Sequence, residues 1–593
     1  MAEQLTNEQK LAVYDRGGKL LVSAAAGSGK TKVLVDRLMS YLLDPIHPAD
    51  LDMFLVITYT KAAAQELRGK IASKLTDMIA DQPENRHLQQ QLQRLHMTKI
   101  STVHSFCADI LREYAYILDI PADFRVADED ECIDLQNIVL QKLLEDAYSQ
   151  TEADPEFFAF IDTQGFGRDD RRVPEIIIKL YRSAYCHQDP EKWLDWCCCD
   201  NSVNCSDASE TIWGKYLMDD LFRYLDVQIS ALERCVQRAA VAEEMEKPAL
   251  LMSSTLDQLR TLRACKRWDD ICDHRNIDYG RLTFSKKITD QTLAEQIKAV
   301  RDACKNGLEK KLSKFSDKSE HLLADYSATV YATRGLIRLV KRFVVDYRKL
   351  KQAKRLLDFT DLEHRTLDLL IGKKRTGLTK IAAEIGQRFR EVMVDEYQDS
   401  NEVQDAIFCA LTDIRNNCFM VGDVKQSIYR FRLADPGIFI DKYNQYVPVE
   451  AATAEQGRKI LLSKNFRSCS GVINAVNDVF MTCMSPDVGG LNYGEAELLV
   501  EGVPHCTLPE PEVELYGLDV ESDTYAEEAA FVAQKISQLT DGTHMIRQGD
   551  ELRPITPNDI VILLRSPGSV GMEYEYALQH RGIRCATGTG DNL

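Results

Sequence analysis

The chain has 593 residues, of which 45% are apolar and 28% charged, and a formal net charge of −19. At roughly 100–200 residues per domain, three to five domains are expected. The acid excess argues against a protein that coats itself in nucleic acid by bulk charge, but it leaves room for a local phosphate-binding groove. No run of 18 apolar residues occurs, so no membrane-spanning helix is expected.

The amino terminus, MAEQLTNEQK, has neither a basic nor an apolar segment of the kind that opens a secretory signal. Residues 19–24 (KLLVSA) and 53–58 (MFLVIT) read as buried parallel strands, each running into a helical pattern. Between them lies SAAAGSGKT, residues 23–31, in the strand–loop–helix setting that makes a phosphate-binding loop. Small residues there let backbone N–H groups approach an anion. Gly27 and Gly29 supply unusual backbone angles, and the helix starting near Lys30 aims its positive end at the ligand. Lys30 would neutralise the β- and γ-phosphates and Thr31 would ligate Mg²⁺, while Ala26 and Ser28 complete the cradle. Ala24 departs from the generic pattern, which has glycine there. A glycine turn that merely caps a helix is the plain alternative, but glycines, lysine and threonine all stand at the required places.

Residues 116–354 are rich in charged helical patterns and poor in glycine, and read as a mostly helical insertion. The chain holds 17 cysteines, for which free thiols are expected. Cys197, Cys198 and Cys199 are adjacent, and Cys265, Cys272 and His274 lack a second ligand pair, so no metal site is expected at either. From 334 to 355 nine Lys or Arg face one acid, Asp346. That stretch is either a solvated basic face or the lining of a nucleic-acid channel.

Strand patterns return at 391–394, 418–421 and 459–462, and again at 559–564 (DIVILL) and 583–587. The first is followed by Asp395 and Glu396. A phosphate loop needs a carboxylate on a neighbouring strand to hold the metal; Asp395 would do this, and Glu396 would orient or deprotonate the attacking water.

DEYQDSNEVQ, from Asp395, resembles the second motif of UvrD/Rep-like superfamily 1 helicases, and other family motifs occur in order. LTNEQKLAV, from Leu5, resembles the motif whose glutamine, here Gln9, reads the adenine edge. TYTKAAAQEL, with Tyr59 and Thr60, and STVHSFC, with His104, resemble single-strand contact motifs. LDFTDL, from Leu357, resembles the segment preceding the second motif. VGDVKQSIYRFR resembles the coupling motif, which implies a γ-phosphate sensor at Gln426 and base or nucleotide contacts at Tyr429, Phe431 and Arg432. LSKNFRS resembles the fourth motif, implying an arginine finger at Arg467 and adenine stacking by Phe466. Arg37 matches a position near the nucleotide. Core packing remains the alternative for each aromatic.

The wording AAAGSGKT and LDFTDLEHRTLDLL, with the large insertion, is similar to the AddA-type (RecB-like) subunits of bacterial AddAB helicase–nucleases. The resemblance implies an α/β fold: a RecA-like motor domain over 1–115 and 355–445, a helical DNA-binding insertion over 116–354, and a partial second RecA-like domain over 446–593. It implies an ATP- and Mg²⁺-dependent 3′–5′ DNA helicase motor acting in double-strand break repair. Single-stranded and duplex-end DNA, an AddB-like partner and the bacterial cytoplasm go with it. A stand-alone repair helicase, a non-catalytic DNA-binding module and a nucleotide hydrolase acting on something other than DNA are the alternatives. The family's fifth and sixth motifs and the nuclease domain are not found, so the chain reads as the front part of a longer protein.

Overall fold

The computed structural model describes residues 5–149, 154–164, 171–198, 205–242, 244–285, 290–453, 455–486, 488–503, 511–520, 525–548 and 551–586. Seven parallel strands form its central sheet: β1 (Leu20–Ala24), β2 (Phe54–Thr58), β3 (Lys99–Thr102), β4 (Glu391–Val394), β5 (Cys418–Gly422), β6 (Val447–Pro448) and β7 (Arg458–Leu462). Their spatial order is β3-β2-β4-β5-β1-β7-β6. Val22 lies opposite Val421 on one side and Ile460 on the other, and Val56 opposite Met393 and Ile100.

The inner strands are apolar on both faces because helices cover both. The helices that position the site are α1 (Asn7–Tyr14), α2 (Lys30–Leu42), α3 (Lys61–Asp81), α4 (Val103–Glu113), α5 (Ser319–Ala353), α6 (Phe359–Ile371) and α7 (Glu402–Thr412). Leu21, Leu55, Ile57, Val392, Val394 and Met420 pack with α4, α6 and α7 on one face. Leu20, Val22, Phe54, Val56, Met393, Phe419 and Ile460 pack with α1, α2 and α3 on the other. Each such side chain contributes roughly 1.5–3 kcal/mol by leaving water. The sheet is α/β and RecA-like, as expected.

The stretch between β3 and β4 is mostly helical. α5 runs 35 residues, about 52 Å at 1.5 Å per residue. Its basic segment is a largely solvated face whose charges are mostly paired within the chain. Arg338 pairs with Asp154 and Glu156, Lys341 with Asp195 and Arg355 with Asp123. Lys351 is buried between Asp358 and Asp361, at 2.7 and 2.5 Å. Much of the positive charge is thus matched within the chain. In the same way Cys265 and Cys272 donate their thiols to the carbonyls of Thr261 and Asp317, and no group of three metal-ligating side chains forms among the described residues. Cys199 lies outside them.

Three expectations change. Strands β6 and β7 belong to the first sheet, with β7 hydrogen-bonded directly to β1, so the first motor body continues past residue 446. β4 is not the immediate neighbour of β1, because β5 stands between them. Residues 560–564 form no ladder among the described residues, and neither do 583–586; Thr587 lies outside them.

Two compact units result, Met1–Ser468 with Val476–Pro504, and Cys469–Ala475 with His505–Leu593. In the second, helices Ala526–Leu539 and Pro567–His580 pack through Ala533, Ile536 and Leu578, joined by Ile560, Ile562 and Ile583. Val561 and Leu563 point outward, 78% and 89% exposed. The segment therefore alternates like a strand but lacks the hydrogen-bonded neighbour that defines one. Among the described residues no helix is long and apolar enough to cross a membrane.

Candidate functional site

Most of the segments singled out in the sequence follow the carboxyl ends of strands of the central sheet, where an open α/β sheet offers a crevice, while the Gln9 segment precedes β1. After β1 the chain turns through Gly27 (φ 69°) and Gly29 (φ 83°) into α2. Gly29 occupies the N-cap position, and α2 has neither a side-chain cap nor an acid in its first turn. Its first N–H groups and its dipole are therefore available to an anion. Ser28 is buried, with its hydroxyl lacking a partner among the described residues. Ala26 and Thr31 sit half-buried beside it.

Lys30 is the hub of a closed hydrogen-bonded ring. Its Nζ donates to both Glu396 oxygens at 2.7 and 2.9 Å and to Gln426 Oε1 at 3.3 Å. Gln426 Nε2 donates to Asp423 Oδ2 at 2.6 Å. The Asp423 N–H donates to Gln398 Oε1 at 2.9 Å, and Gln398 Nε2 returns to Glu396 at 2.9 Å. Asp423 also holds Lys425, which reaches Glu497 at 3.0 Å. The ends of β1, β4 and β5 are thus bound into one polar unit, with β5 supplying the bridge.

The carboxyls around the ring are unusual. Burial, and then the charge of Glu396, push Asp395 up to about 6. The same causes push Asp399 up to about 7, and its Oδ1 is buried without a partner among the described residues. Glu396 holds a left-handed backbone, φ 49°, a conformation that costs a non-glycine residue roughly 1 kcal/mol and is found at functional turns.

After β7 the chain returns to the phosphate loop. Phe466 N–H donates to the Gly27 carbonyl at 2.9 Å. Asn465, buried, packs so close that a Cβ on Gly27 would lie 2.6 Å from its Oδ1. That same oxygen accepts from the N–H groups of Arg467 and Ser468, at 2.7 and 2.8 Å. Arg467 is exposed and Phe466 half-buried, and both belong to the first compact unit, not to a separate second domain.

Gln9 is buried against the loop: Nε2 donates to the Ser28 carbonyl at 3.0 Å, while Oε1 accepts from the Thr6 N–H. It braces the loop, and reading an adenine edge would use its remaining amide hydrogen. Arg37 corrects the sequence reading. It is 1% exposed, bidentate to Glu391 at 2.5 and 2.8 Å, bonded to the Ala12 carbonyl and stacked 4.4 Å from the Phe419 ring. Glu391 opens β4 whereas Asp395 follows its end, so Arg37 lies at the opposite end of the strand from the ring. Its role is to bind α2 to the sheet.

The remaining candidates do not form one cluster. The Tyr59 hydroxyl pairs with that of buried Ser400, and burial pushes it far above its ordinary range. Thr60 is the N-cap of α3, accepting from Ala63 N at 3.0 Å. His104 stacks on Phe359 at 4.3 Å and meets buried Glu363 at 3.1 Å. Burial raises the Glu363 carboxyl, but His104 and the Gln404 amide at 2.7 Å outweigh it and hold it below its usual range. Tyr429, Phe431 and Arg432 form an outward turn: the rings are 6.0 Å apart, the guanidinium lies over both, and Phe431 is 76% exposed. Sequence reasoning passed over Gln398, Asp423 and Asn465, although each stands inside a quoted motif; a polar residue at a strand end was the available signal.

The chain matches the family model described as the UvrD/REP helicase N-terminal domain over residues 5–447. It is 34% identical to proteins named as ATP-dependent helicase/nuclease subunits from Bacillus cytotoxicus, Bacillus cereus and Bacillus anthracis. Each match covers 99% of this chain and 49% of the relative, so the chain spans about half the length of the curated relatives it matches.

Proposed function

Because the chain belongs to the UvrD/REP helicase family, we propose that it is the ATP-hydrolysing motor part of an AddA-type helicase–nuclease, of the 3′–5′ kind, in a bacterial cytoplasm. The observation that carries this reading is the ring joining Lys30, Glu396, Gln398, Asp423 and Gln426 at the mouth of an uncapped helix. Single-stranded and duplex-end DNA are the proposed substrates, and the proposed partner is AddB-like.

The residues fit a nucleotide with a divalent cation. The loop offers bare N–H groups and an ammonium for phosphate, and Asp395, pushed up to about 6 by burial and then by the charge of Glu396, would gain from a cation beside it. Thr31 and Asp395 would hold Mg²⁺, which when bound would neutralise charge on the β- and γ-phosphates. Lys30 exchanges its bond to Glu396 for one to the γ-phosphate. Glu396, released from the ammonium but still held by Gln398, orients water and accepts its proton. Gln426, bonded to both Lys30 and Asp423, senses that exchange and carries it through the segment that follows it to the Tyr429–Arg432 turn, where bases would stack. Gly27, Gly29, Ala26 and Ser28 cradle phosphate. Gln9 and Phe466 face the base, and Arg467 approaches the γ-phosphate. Tyr59, Thr60 and His104 mark the strand-contact surface.

The test is Glu396→Gln, assayed for binding of a fluorescent ATP analogue and for phosphate release. Binding should stay near the parental value while turnover falls by about 100-fold or more, the usual scale for losing a general base. Loss of binding together with turnover would make Glu396 a structural support of the loop and overturn its assigned role.

A further inference from the structure

Between helices Val173–Ala184 and Pro190–Cys197 of the insertion lies a short loop, residues 185–189. Its shape is set locally. His187 N–H donates to the Ala184 carbonyl at 3.2 Å, and Asp189 caps the second helix by accepting from Lys192 N, with Pro190 at the first helical position. Three side chains from around the motor sheet converge on it. His364 of α6 meets the Tyr185 carbonyl through Nε2 at 2.8 Å. Arg375, fixed by Asp368 at 2.6 Å, donates to the Gln188 carbonyl at 3.2 Å. Glu402, the first residue of α7, meets His187 Nδ1 at 2.7 Å and accepts the Gln188 N–H at 3.4 Å. The His187 ring also stacks on Trp193, centroids 4.8 Å apart and planes 19° apart.

Glu402 is connected to the catalytic carboxylates by stiff chain. Glu396 leads through a single 3-10 turn, Tyr397–Asp399, to Ser400 and to the N-cap Asn401. Ser400 is pinned twice, by the Tyr59 hydroxyl and through its carbonyl by the Asp435 N–H at 2.9 Å. A displacement of the first turn of α7 must therefore be felt at Glu396. We infer that residues 185–189 are a positioning contact for the nucleotide site: His187 and Glu402 register the helical insertion against the first turn of α7, and so against Glu396. Both side chains are partly exposed, 37% and 42%. Such a pair adds little stability, which suits a contact that opens and closes better than a strut. The coupling runs both ways, so nucleotide at the phosphate loop alters the surroundings of His187 and Trp193.

This inference rests on the functional reading above, and Trp193 reports on it without turnover. Emission of the full chain is followed on adding ATPγS with Mg²⁺, beside Trp193→Phe, which assigns the signal among the four tryptophans. Binding of a fluorescent ATP analogue is measured in parallel. The nucleotide should change Trp193 emission in the parent. The change should fall several-fold in His187→Ala and Glu402→Gln, with nucleotide affinity shifted by no more than the few-fold that so weak a pair can couple, and it should return in His187→Gln, which keeps a donor for Glu402. Bound nucleotide with silent Trp193, or an undiminished response in Glu402→Gln, overturns the positioning contact alone. Failure of the parent to bind nucleotide overturns the functional reading together with it.

Discussion

At the residue scale the site is governed by carboxyls short of positive charge. Asp399 lies beside Glu396 with one oxygen buried and unpartnered among the described residues, and burial followed by the Glu396 charge lifts it from 3.8 to about 7. The sign of the consequence is fixed. Between pH 4 and 7 the folded chain keeps a proton that the unfolded chain has shed, so stability falls as pH rises through that window. Asp399→Asn removes the effect. Measured by thermal unfolding without nucleotide, the variant should gain on the parent by on the order of 1 kcal/mol between pH 5 and pH 8, a figure discounted for the partial exposure of the group. A gap that does not change with pH would contradict this account. The identities of Lys30, Asp395, Glu396 and Gln426 were legible in the sequence because each chemistry demands one residue type at one place. Gln398, Asp423 and Asn465 were not, because their importance lies in whom they touch across the sheet. A hydrogen bond between the ends of β4 and β5 has no signature in the local pattern of either strand.

At the element scale the strands and helices of the sheet were readable from apolar runs and the strand–loop–helix rhythm, and their order was not. Nothing in residues 458–462 says that they pair with β1, more than 400 positions earlier, and this pairing carries Asn465, Phe466 and Arg467 to the phosphate loop. The DIVILL pattern shows the converse: alternation specifies which side chains turn inward, while a ladder needs a neighbour as well. Arg37 was misplaced for a related reason. Its spacing puts it on the helix that begins at Lys30, but two turns along that helix leads to the far end of β4 and to Glu391. The assignment can be tested. Arg37→Leu leaves a buried carboxylate unpaired and should destabilise the fold by roughly 3–5 kcal/mol. The apparent affinity for ATP of the folded fraction should not change. Weakened ATP binding with unaltered thermal stability would return Arg37 to the nucleotide.

At the scale of the whole molecule, the insertion and the sheet divide the work. The sheet gathers its polar motifs at the carboxyl ends of its strands, and the insertion meets the motor body there through the loop at 185–189, which His364, Arg375 and Glu402 hold. The match over residues 5–447 makes the family plain, and the half-length coverage of the relatives leaves the activity of this chain to be measured. The central claim is that the Lys30 ring drives hydrolysis that responds to DNA. The most direct test is steady-state phosphate release by the 593-residue chain, with and without single-stranded DNA, beside Lys30→Ala. The account predicts turnover that rises with DNA in the parent and is abolished in the variant. DNA-independent turnover, or turnover that survives Lys30→Ala, would contradict it.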